Sequence, residues 1–215
     1  MKKQISIEQA VSMIKDGMSI MIGGFLACGS PHKMIDALVA SGVKDLTIIG
    51  NDTGFVDKGI GKLVVNGQVK KVIVSHIGTN KETGRLMNEG LMEVCLVPQG
   101  TLAEQVRAGG AGLGGFLTPI GIGTPVEVGK QVIQLDGKDY LLEKALRADV
   151  ALLFGSVVDR KGNVYYNKAT RNFNPLMAMA ADLVIVEAEK LVEVGEIDPN
   201  AVATQHIFVD HIVEG

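Results

Sequence analysis

The chain has no tryptophan, only two cysteines among its 215 residues, and aromatic side chains at only 4% of its positions. Cys28 and Cys95 lie far apart in sequence and neither stands in a paired spacing, which argues against a disulfide framework and against a cysteine zinc site. With so few aromatic residues, the core must be built from Val, Ile, Leu, Met and Ala. Such a core is typical of a buried parallel sheet.

A basic excess and a long apolar run are also missing. Lys and Arg number 21 against 24 for Asp and Glu, so no basic stripe for a nucleic acid backbone is expected. The apolar runs are far shorter than the roughly 20 residues that a membrane span needs. Near the start of the chain, Glu8 and Lys15 interrupt any stretch that could serve as an export signal. These absences predict a cytoplasmic protein that binds neither nucleic acid nor membrane.

What the sequence does contain is an alternation of short apolar runs with helical patterns. A helix is predicted after the capping-box residue Ser6, ending at Gly17, and another after Pro31, ending at Gly42. Further helices are predicted at residues 81–91 and 101–108, and strands at residues 18–22, 46–49, 72–75, 94–97, 150–158 and 183–186. This order predicts an α/β fold, an open and mostly parallel sheet flanked by helices, in a single domain of residues 1–215.

The second half of the chain adds two features. Asp136-Gly137 stands between two strand-like runs, residues 132–135 and 140–142, and supplies the positive φ angles of a tight turn. A β-hairpin insertion is therefore predicted there. Residues 109–115 read GGAGLGG, with five glycines in seven positions, which predicts an irregular loop or a boundary.

The loops after the predicted strands indicate where a site should lie. Ligands of open parallel sheets bind beyond the carboxyl ends of the strands. The loops that follow Ile22, Ile49, Ser75 and Val97 should therefore share one rim. Functional side chains are expected on that rim.

A glycine loop in residues 16–31, DGMSIMIGGFLACGSP, is the most informative segment. A strand that runs into Gly23-Gly24 lets backbone approach a bulky or charged group, and the helix behind it offers free N–H groups and a positive dipole end. A phosphate, a carboxylate or a thioester oxygen would suit such a place. Taken alone, the loop could equally be a structural turn.

As a whole string, this segment resembles the signature of family I coenzyme A transferases. The resemblance extends to the A subunits of acetate or butyrate:acetoacetate CoA-transferases through five further segments: NDT at 51–53, SHIGTN at 75–80, PQGTLAEQVRAGGAGLGGFLTP at 98–119, DVALL at 149–153 and RNFNPLMAMAA at 171–181. Nearly the whole chain is covered by independent matches. A chance match is therefore improbable.

The resemblance implies an alpha subunit of a heteromeric short-chain CoA-transferase of fatty acid metabolism, moving CoA between acetyl-, butyryl- or acetoacetyl-CoA and a free carboxylate. In that family a glutamate in a Ser-Glu-Asn-Gly context attacks the thioester and becomes a glutamyl-CoA thioester; this chain has no such string. A beta subunit should supply that glutamate, in a heterotetramer of two alpha and two beta subunits. The CoA thioester is a substrate, and no permanent cofactor or metal is implied. Contact with it is expected from Gly23, Gly24, Phe25, Leu26, Ala27, Cys28, Gly29 and Ser30.

Gln99 is the candidate catalytic residue. Carboxylate attack on a thioester builds negative charge on the carbonyl oxygen, and donors aimed at that oxygen are usually the largest catalytic contribution. Gln99 follows a predicted strand, and its match to the family's PQGT string implies a role in the oxyanion hole. The alternative is that Gln99 only begins a helix.

Other polar residues leave alternatives open. No histidine is adjacent to Cys28 in sequence, so a nucleophilic role is not expected. His76 could orient substrate, although filling a polar pocket is favoured. Asn51, Asp52 and Thr53 could contact substrate or form an Asx turn.

Two groups of polar residues towards the end of the chain also have alternative roles that sequence alone does not decide between. Arg171 with Asn172 and Asn174 could bind a carboxylate or hold a subunit interface. Glu187 and Glu189 share a strand face and could act in acid–base chemistry, although a solvated strand end explains them equally well.

A rival function from another class is a non-enzymatic sensor with the same open α/β fold. Its Gly23-Gly24 loop would bind an acyl-CoA or a sugar phosphate without catalysis. A neighbouring reading frame that encodes a Ser-Glu-Asn-Gly chain would favour the transferase.

Overall fold

The computed structural model describes residues 3–215 and contains thirteen strands in three sheets. In chain order the strands are β1 Ser19–Ile22, β2 Leu46–Ile49, β3 Val69–Val74, β4 Glu93–Leu96, β5 Gly115–Thr118, β6 Val132–Leu135, β7 Lys138–Lys144, β8 Ala148–Gly155, β9 Val157–Asp159, β10 Val164–Tyr165, β11 Ala181–Ala188, β12 Leu191–Val192 and β13 His211–Glu214. The α-helices are α1 Ile7–Ser12, α2 His32–Ser41, α3 Gly61–Val65, α4 Lys81–Asn88, α5 Gln99–Gly110 and α6 Asn174–Met177.

The main sheet has seven strands in the order β13-β11-β8-β1-β2-β3-β4, and every neighbouring pair is parallel. Helices cover both faces, and two apolar clusters form the core. Residues of α1, α2 and α3 pack on one face, and residues of α5 and α6 pack on the other. The predicted α/β fold, an open parallel sheet flanked by helices, is confirmed.

The first two helices begin where the sequence predicts, although the first is shorter than expected. Ser6 and Gln9 form the predicted capping box of α1, but the helix ends at Ser12 rather than at Gly17. Its last turn is tightened because Met13 N donates to Ala10 O and Ile14 N donates to Val11 O. Helix α2 ends as predicted, with Gly42 in the left-handed conformation at a φ of 71°.

The single strand predicted at residues 150–158 is wrong. Strand β8 ends at Gly155, and β9 leaves the main sheet to join a small sheet in the order β10-β9-β12. The chain bends at Ser156. Residue 155 before the bend must be a glycine, because a Cβ there would lie only 2.5 Å from Cγ2 of Val158. The side-chain hydroxyl of Ser156, between the two strands, accepts a bond from Asn167 N at 2.9 Å.

The predicted hairpin is confirmed, with Asp136 at a φ of 51° and Gly137 at 74° between β6 and β7. A third strand, β5, pairs with β7 to complete an antiparallel sheet that the sequence did not predict. The irregular segment is shorter at both ends than the predicted residues 109–115. Helix α5 continues through Gly109 and Gly110, and Gly115 already belongs to β5.

Two of these positions inside regular structure need glycine, because backbone from other segments lies very close to them. A Cβ at Gly109 would lie 2.1 Å from the carbonyl oxygen of Leu146, and one at Gly115 would lie 2.3 Å from that of Glu143.

Within residues 3–215, no helix is both long and apolar enough to cross a membrane. The single domain of residues 1–215 stays a prediction.

Candidate functional site

The loops after β1, β2, β3 and β4 meet at one rim of the main sheet, as predicted. They enclose a cavity of about 380 Å³. One or two residues from each loop line it: Phe25, Leu26, Asn51, Ser75, His76 and Gln99. Because β1 to β4 are neighbours in the sheet, their carboxyl ends bring side chains from residues 25–99 into one place.

Gln99 is both the first residue of α5 and an exposed part of the cavity wall. The alternatives posed from sequence are therefore not exclusive. Its Nε2 donates to Oδ1 of Asn51 at 2.5 Å. This bond holds one N–H of the amide and leaves the second N–H available to another acceptor.

Within the glycine loop, residues 25–28 form a tight turn with unusual backbone angles. Phe25 N donates to Cys28 O at 3.0 Å and Cys28 N donates to Phe25 O at 2.9 Å. The two residues between them, Leu26 and Ala27, have φ values of 46° and 65°. Left-handed backbone costs roughly 1–2 kcal/mol for each residue that is not glycine. Surrounding contacts must therefore stabilise this turn.

Side chains from distant segments supply those contacts. Asn172 accepts from Gly24 N and donates to Cys28 O, each at 3.0 Å, while Asn174 donates to Gly29 O at 3.0 Å. Asn174 is fully buried. Both asparagines hold the glycine loop, a role that was not posed from sequence, and the carboxylate site and the subunit interface stay predictions.

His32 and Asp52 hold the turn from two other directions. His32 Nε2 donates to Ala27 O at 3.0 Å, and burial lowers the pKa of this imidazole. The Asp52 carboxylate accepts from Leu26 N at 2.9 Å. The loop is therefore fixed before any ligand binds.

The glycines of the loop are required by contacts within the protein. A Cβ at Gly23 would lie 1.9 Å from Oδ1 of Asn174, and a Cβ at Gly24 would lie 1.9 Å from Oγ of Ser30. The backbone N–H groups of residues 23–26 already donate to protein acceptors. A cradle of free amides, as expected from the sequence, is therefore not what residues 23–26 present.

Of the eight residues expected to contact the CoA substrate, two line the cavity, namely Phe25 and Leu26. Cys28 is exposed but does not belong to the cavity wall. The other five are buried: Gly23, Gly24, Ala27, Gly29 and Ser30. Their part in binding stays a prediction. Within the cavity, Phe25 and Leu26 are the two of these eight residues that a ligand can reach.

The start of α2 is occupied as well. Met34 N donates to Oε2 of Glu187 at 2.8 Å, so a carboxylate from β11 takes the place that was expected for a ligand anion. Glu187 is only 5% exposed, and burial raises its pKa. The solvated strand end proposed for Glu187 is therefore wrong, whereas Glu189 is exposed. Met34 and Glu187 lie 153 positions apart in sequence, so no local sequence pattern could have predicted this hydrogen bond.

The remaining sequence candidates on the rim have clear positions. His76 is exposed and lines the cavity, and both roles posed for it, orienting substrate and filling a polar pocket, stay predictions. Asn51 and Asp52 are buried and bonded to each other through Asn51 Nδ2 and Asp52 Oδ2 at 2.6 Å. Asp52 also accepts from Gly54 N at 2.7 Å, which is an Asx turn. None of the six residues that line the cavity is acidic.

Residues 4–215 match the sequence profile of the coenzyme A transferase family. The chain belongs to this family. It is 57% identical to the acetate CoA-transferase subunit alpha of Escherichia coli strain K12, over 98% of this chain and 96% of the relative. It is also 53% identical to the acetoacetyl-CoA:acetate/butyrate CoA transferase alpha subunit of Clostridium acetobutylicum, over 99% of this chain and 97% of the relative.

Solved structures agree in fold. The acyl-CoA transferase of Escherichia coli O157:H7, solved as a thioester complex with CoA, superposes with a TM-score of 0.87 at 23% identity. The match covers 100% of this chain and 47% of that longer one. The glutaconate coenzyme A-transferase of Acidaminococcus fermentans also gives a TM-score of 0.87, at 20% identity, over 99% of this chain and 75% of that one. This coenzyme A transferase chain therefore shares its fold with distant transferases.

Proposed function

We propose that this chain is the alpha subunit of a heteromeric short-chain CoA-transferase. It moves CoA between an acyl-CoA, such as acetyl-, butyryl- or acetoacetyl-CoA, and a free carboxylate. The names of the two alpha-subunit relatives support this substrate class. A place in cytoplasmic fatty acid metabolism is part of the same proposal.

The reaction requires a nucleophile and a group that stabilises negative charge. A glutamate carboxylate attacks the thioester carbonyl carbon, and the carbonyl oxygen becomes an oxyanion. Collapse expels the CoA thiolate and leaves a mixed anhydride; the thiolate then attacks the glutamyl carbonyl and releases the first carboxylate. The second carboxylate takes CoA by the reverse sequence. A donor aimed at the oxyanion lowers the barrier of each attack.

The single observation that carries the proposal is a cavity with an amide donor and without a nucleophilic carboxylate. Gln99 offers the donor. The nearby Asp52 is only 4% exposed, and three N–H donors occupy its carboxylate. The glutamate should therefore come from a beta subunit that completes the cavity, in an assembly of two alpha and two beta subunits.

The glycine loop takes a specific part in this arrangement. Its backbone donors are satisfied within the protein, so we assign its contact with the acyl-CoA to the Phe25 and Leu26 side chains. The buried loop residues support those two from behind. Phe25 is 44% exposed, which suits a side chain that an apolar part of the substrate or the beta subunit covers.

The sensor alternative is not favoured. It requires an acyl-CoA site that binds without catalysis, whereas this chain belongs to a family of transferases along nearly its whole length. An amide on the cavity wall, held by a neighbouring amide, suits a developing charge better than simple capture of a ligand.

Substitution of Gln99 tests the proposal in the complex with its beta subunit. Gln99→Ala should lower kcat and kcat/KM equally, by about 10² to 10³, because only a transition-state contact is lost. Gln105→Ala is the matched control, since Gln105 lies on the same helix but bonds to Glu143 away from the cavity. The control should retain kcat within about threefold.

Two results would contradict the proposal. A Gln99→Ala complex that turns over as fast as the control would remove Gln99 from the mechanism. Exchange of CoA by the purified chain alone, at the rate of the complex, would show that no beta subunit is needed. The same assay over a panel of short-chain carboxylates identifies the preferred acyl group.

A further inference from the structure

Asp52 occupies an unusual electrostatic position beside the cavity. Its carboxylate is buried, and none of the ion pairs within residues 3–215 includes it. Three N–H donors hold it instead: Leu26 N at 2.9 Å and Asn51 Nδ2 at 2.6 Å on Oδ2, and Gly54 N at 2.7 Å on Oδ1. Burial of a carboxylate without a cation costs much free energy unless hydrogen-bond donors surround it. The three donors must therefore keep their positions around Asp52.

The bond between Asp52 and Asn51 determines how the Asn51 amide is turned. A carboxylate can only accept hydrogen bonds, whereas an amide has one accepting and one donating side. Asn51 must therefore direct its Nδ2 towards Asp52 and its Oδ1 away from it. Gln99 Nε2 donates to that oxygen at 2.5 Å. The Ser75 hydroxyl also lies 3.3 Å from it, but its shorter bond, at 2.7 Å, is to the backbone carbonyl of Asn51.

The orientation of the Asn51 amide in turn determines that of the Gln99 amide. An accepting Oδ1 on Asn51 requires the donating side of the Gln99 amide, so the nitrogen of Gln99 faces Asn51. If Asp52 lost its charge and Asn51 turned over, two donors would face each other and the Gln99 amide would turn as well. The acceptor-only carboxylate of Asp52 thus sets the orientation of an amide with which it shares no direct hydrogen bond.

Asp52 also fixes the opposite wall of the cavity. The oxygen that accepts from Asn51 accepts from Leu26 N too, and Leu26 is one of the two residues in the turn with positive φ. One carboxylate therefore connects the Gln99 wall with the glycine-loop wall. This connection does not depend on any partner chain.

We propose that Asp52 is a positioning residue for the transfer reaction: through Asn51 it orients the Gln99 amide, and directly it holds the Leu26 turn. The inference rests on the proposed oxyanion role of Gln99. Asp52 does not itself touch the reacting atoms. Its effect on the rate should therefore depend on the presence of Gln99.

A double-mutant cycle on the assembled complex tests this inference. Asp52→Asn keeps the shape of the side chain but adds a donating side, so the directionality of the amide chain is lost. It should lower kcat about tenfold or more with KM nearly unchanged. In the Gln99→Ala background the same substitution should lower kcat by a factor at least threefold smaller, because there is no amide left to orient and only the contact with Leu26 N is changed.

The outcomes separate the inference from the proposed function. An equal fold-change in both backgrounds, or an Asp52→Asn complex within threefold of the wild type, would overturn the positioning role while leaving Gln99 in place. A Gln99→Ala complex with normal kcat would overturn the oxyanion role of Gln99, and the positioning role of Asp52 with it. If Asp52→Asn fails to assemble, Asn51→Ala replaces it under the same criteria, since it leaves the bonds of Asp52 to Leu26 and Gly54 intact.

Discussion

Two loops on the rim have the same pattern of residues but different roles. Gly24 to Gly29 after β1 and Gly54 to Gly59 after β2 both read G-F-x-x-x-G, and in both the Phe and the residue three positions later exchange two backbone bonds. All four glycines have positive φ. Only the first loop lines the cavity.

The difference lies in what holds each turn. In the first loop both central residues have positive φ, whereas Val56 and Asp57 in the second do not. Asn172, Asn174 and His32 fix the first loop from outside it, whereas Asp52 accepts from both loops, through Leu26 N and Gly54 N. Local sequence therefore specifies a closed turn in both places, and long-range side chains hold one of the two in a strained form beside Gln99.

The largest effect is expected when the main support of the first loop is removed. Asn172→Ala leaves the buried Gly24 N–H without its acceptor and removes one of the two donors to the Cys28 carbonyl, so it should lower the free energy of unfolding by about 2–3 kcal/mol. Thr79→Val is the counterpart in the second loop, where Thr79 Oγ1 donates to Gly54 O. It should cost about 1 kcal/mol or less. Equal losses in urea unfolding of the two variants would show that the loops are held alike.

A smaller effect concerns the helix that follows the first loop. Glu187→Ala leaves Met34 N without its buried acceptor and should lower the free energy of unfolding by about 1–2 kcal/mol. Glu187→Gln keeps an accepting oxygen and should preserve most of the stability. The second loop leads into α3, whose N-cap residue Ile60 provides no side-chain hydrogen bond to the helix.

The pKa of Glu187 makes this effect depend on pH. Burial raises the pKa in the folded state, so the folded protein binds a proton that the unfolded chain releases. The contribution of Glu187 is therefore fully present below the unfolded pKa and declines as pH rises through the folded pKa. Relative to wild type, Glu187→Gln should become more stable over that interval, while the exposed Glu189→Gln should show no such trend. Parallel curves for wild type and Glu187→Gln would contradict the buried carboxylate.

The smallest effect should differ in sign between the loops. Ala27→Gly relieves a left-handed residue at a cost in chain entropy, with an expected net gain of about 0.5 kcal/mol. Val56→Gly in the second loop relieves nothing and should lose about 1 kcal/mol. A loss of similar size in both variants would mean that the first turn is not strained.

Much of the rim could be predicted from sequence because it follows from local pattern and parallel topology. Apolar runs mark the strands, and the ends of neighbouring parallel strands meet, so Gln99 could be expected beside Leu26 and His76. The hairpin at Asp136 could be predicted for the same reason, since two residues determine its turn. Family resemblance, rather than periodicity, suggested the role of Gln99.

The supports of the site could not be predicted. Asn172 lies 148 positions from Gly24, and Glu187 lies 153 positions from Met34, so nothing near either residue indicates its partner. The break after Gly155 depends on close packing against Val158, which an apolar run does not reveal. The repeated G-F-x-x-x-G pattern was a local signal, but it predicts closure of the turns and not their different backbone angles.

The most direct measurement locates the covalent intermediate. The assembled complex is incubated with acetoacetyl-CoA, treated with borohydride to reduce any enzyme thioester to an alcohol, digested and analysed by mass spectrometry. We expect the reduced residue to be a glutamate of the beta subunit, with every carboxylate of this chain and Cys28 unmodified. A reduced carboxylate or a CoA adduct on this chain would contradict the proposal that its cavity supplies the oxyanion donor but not the nucleophile.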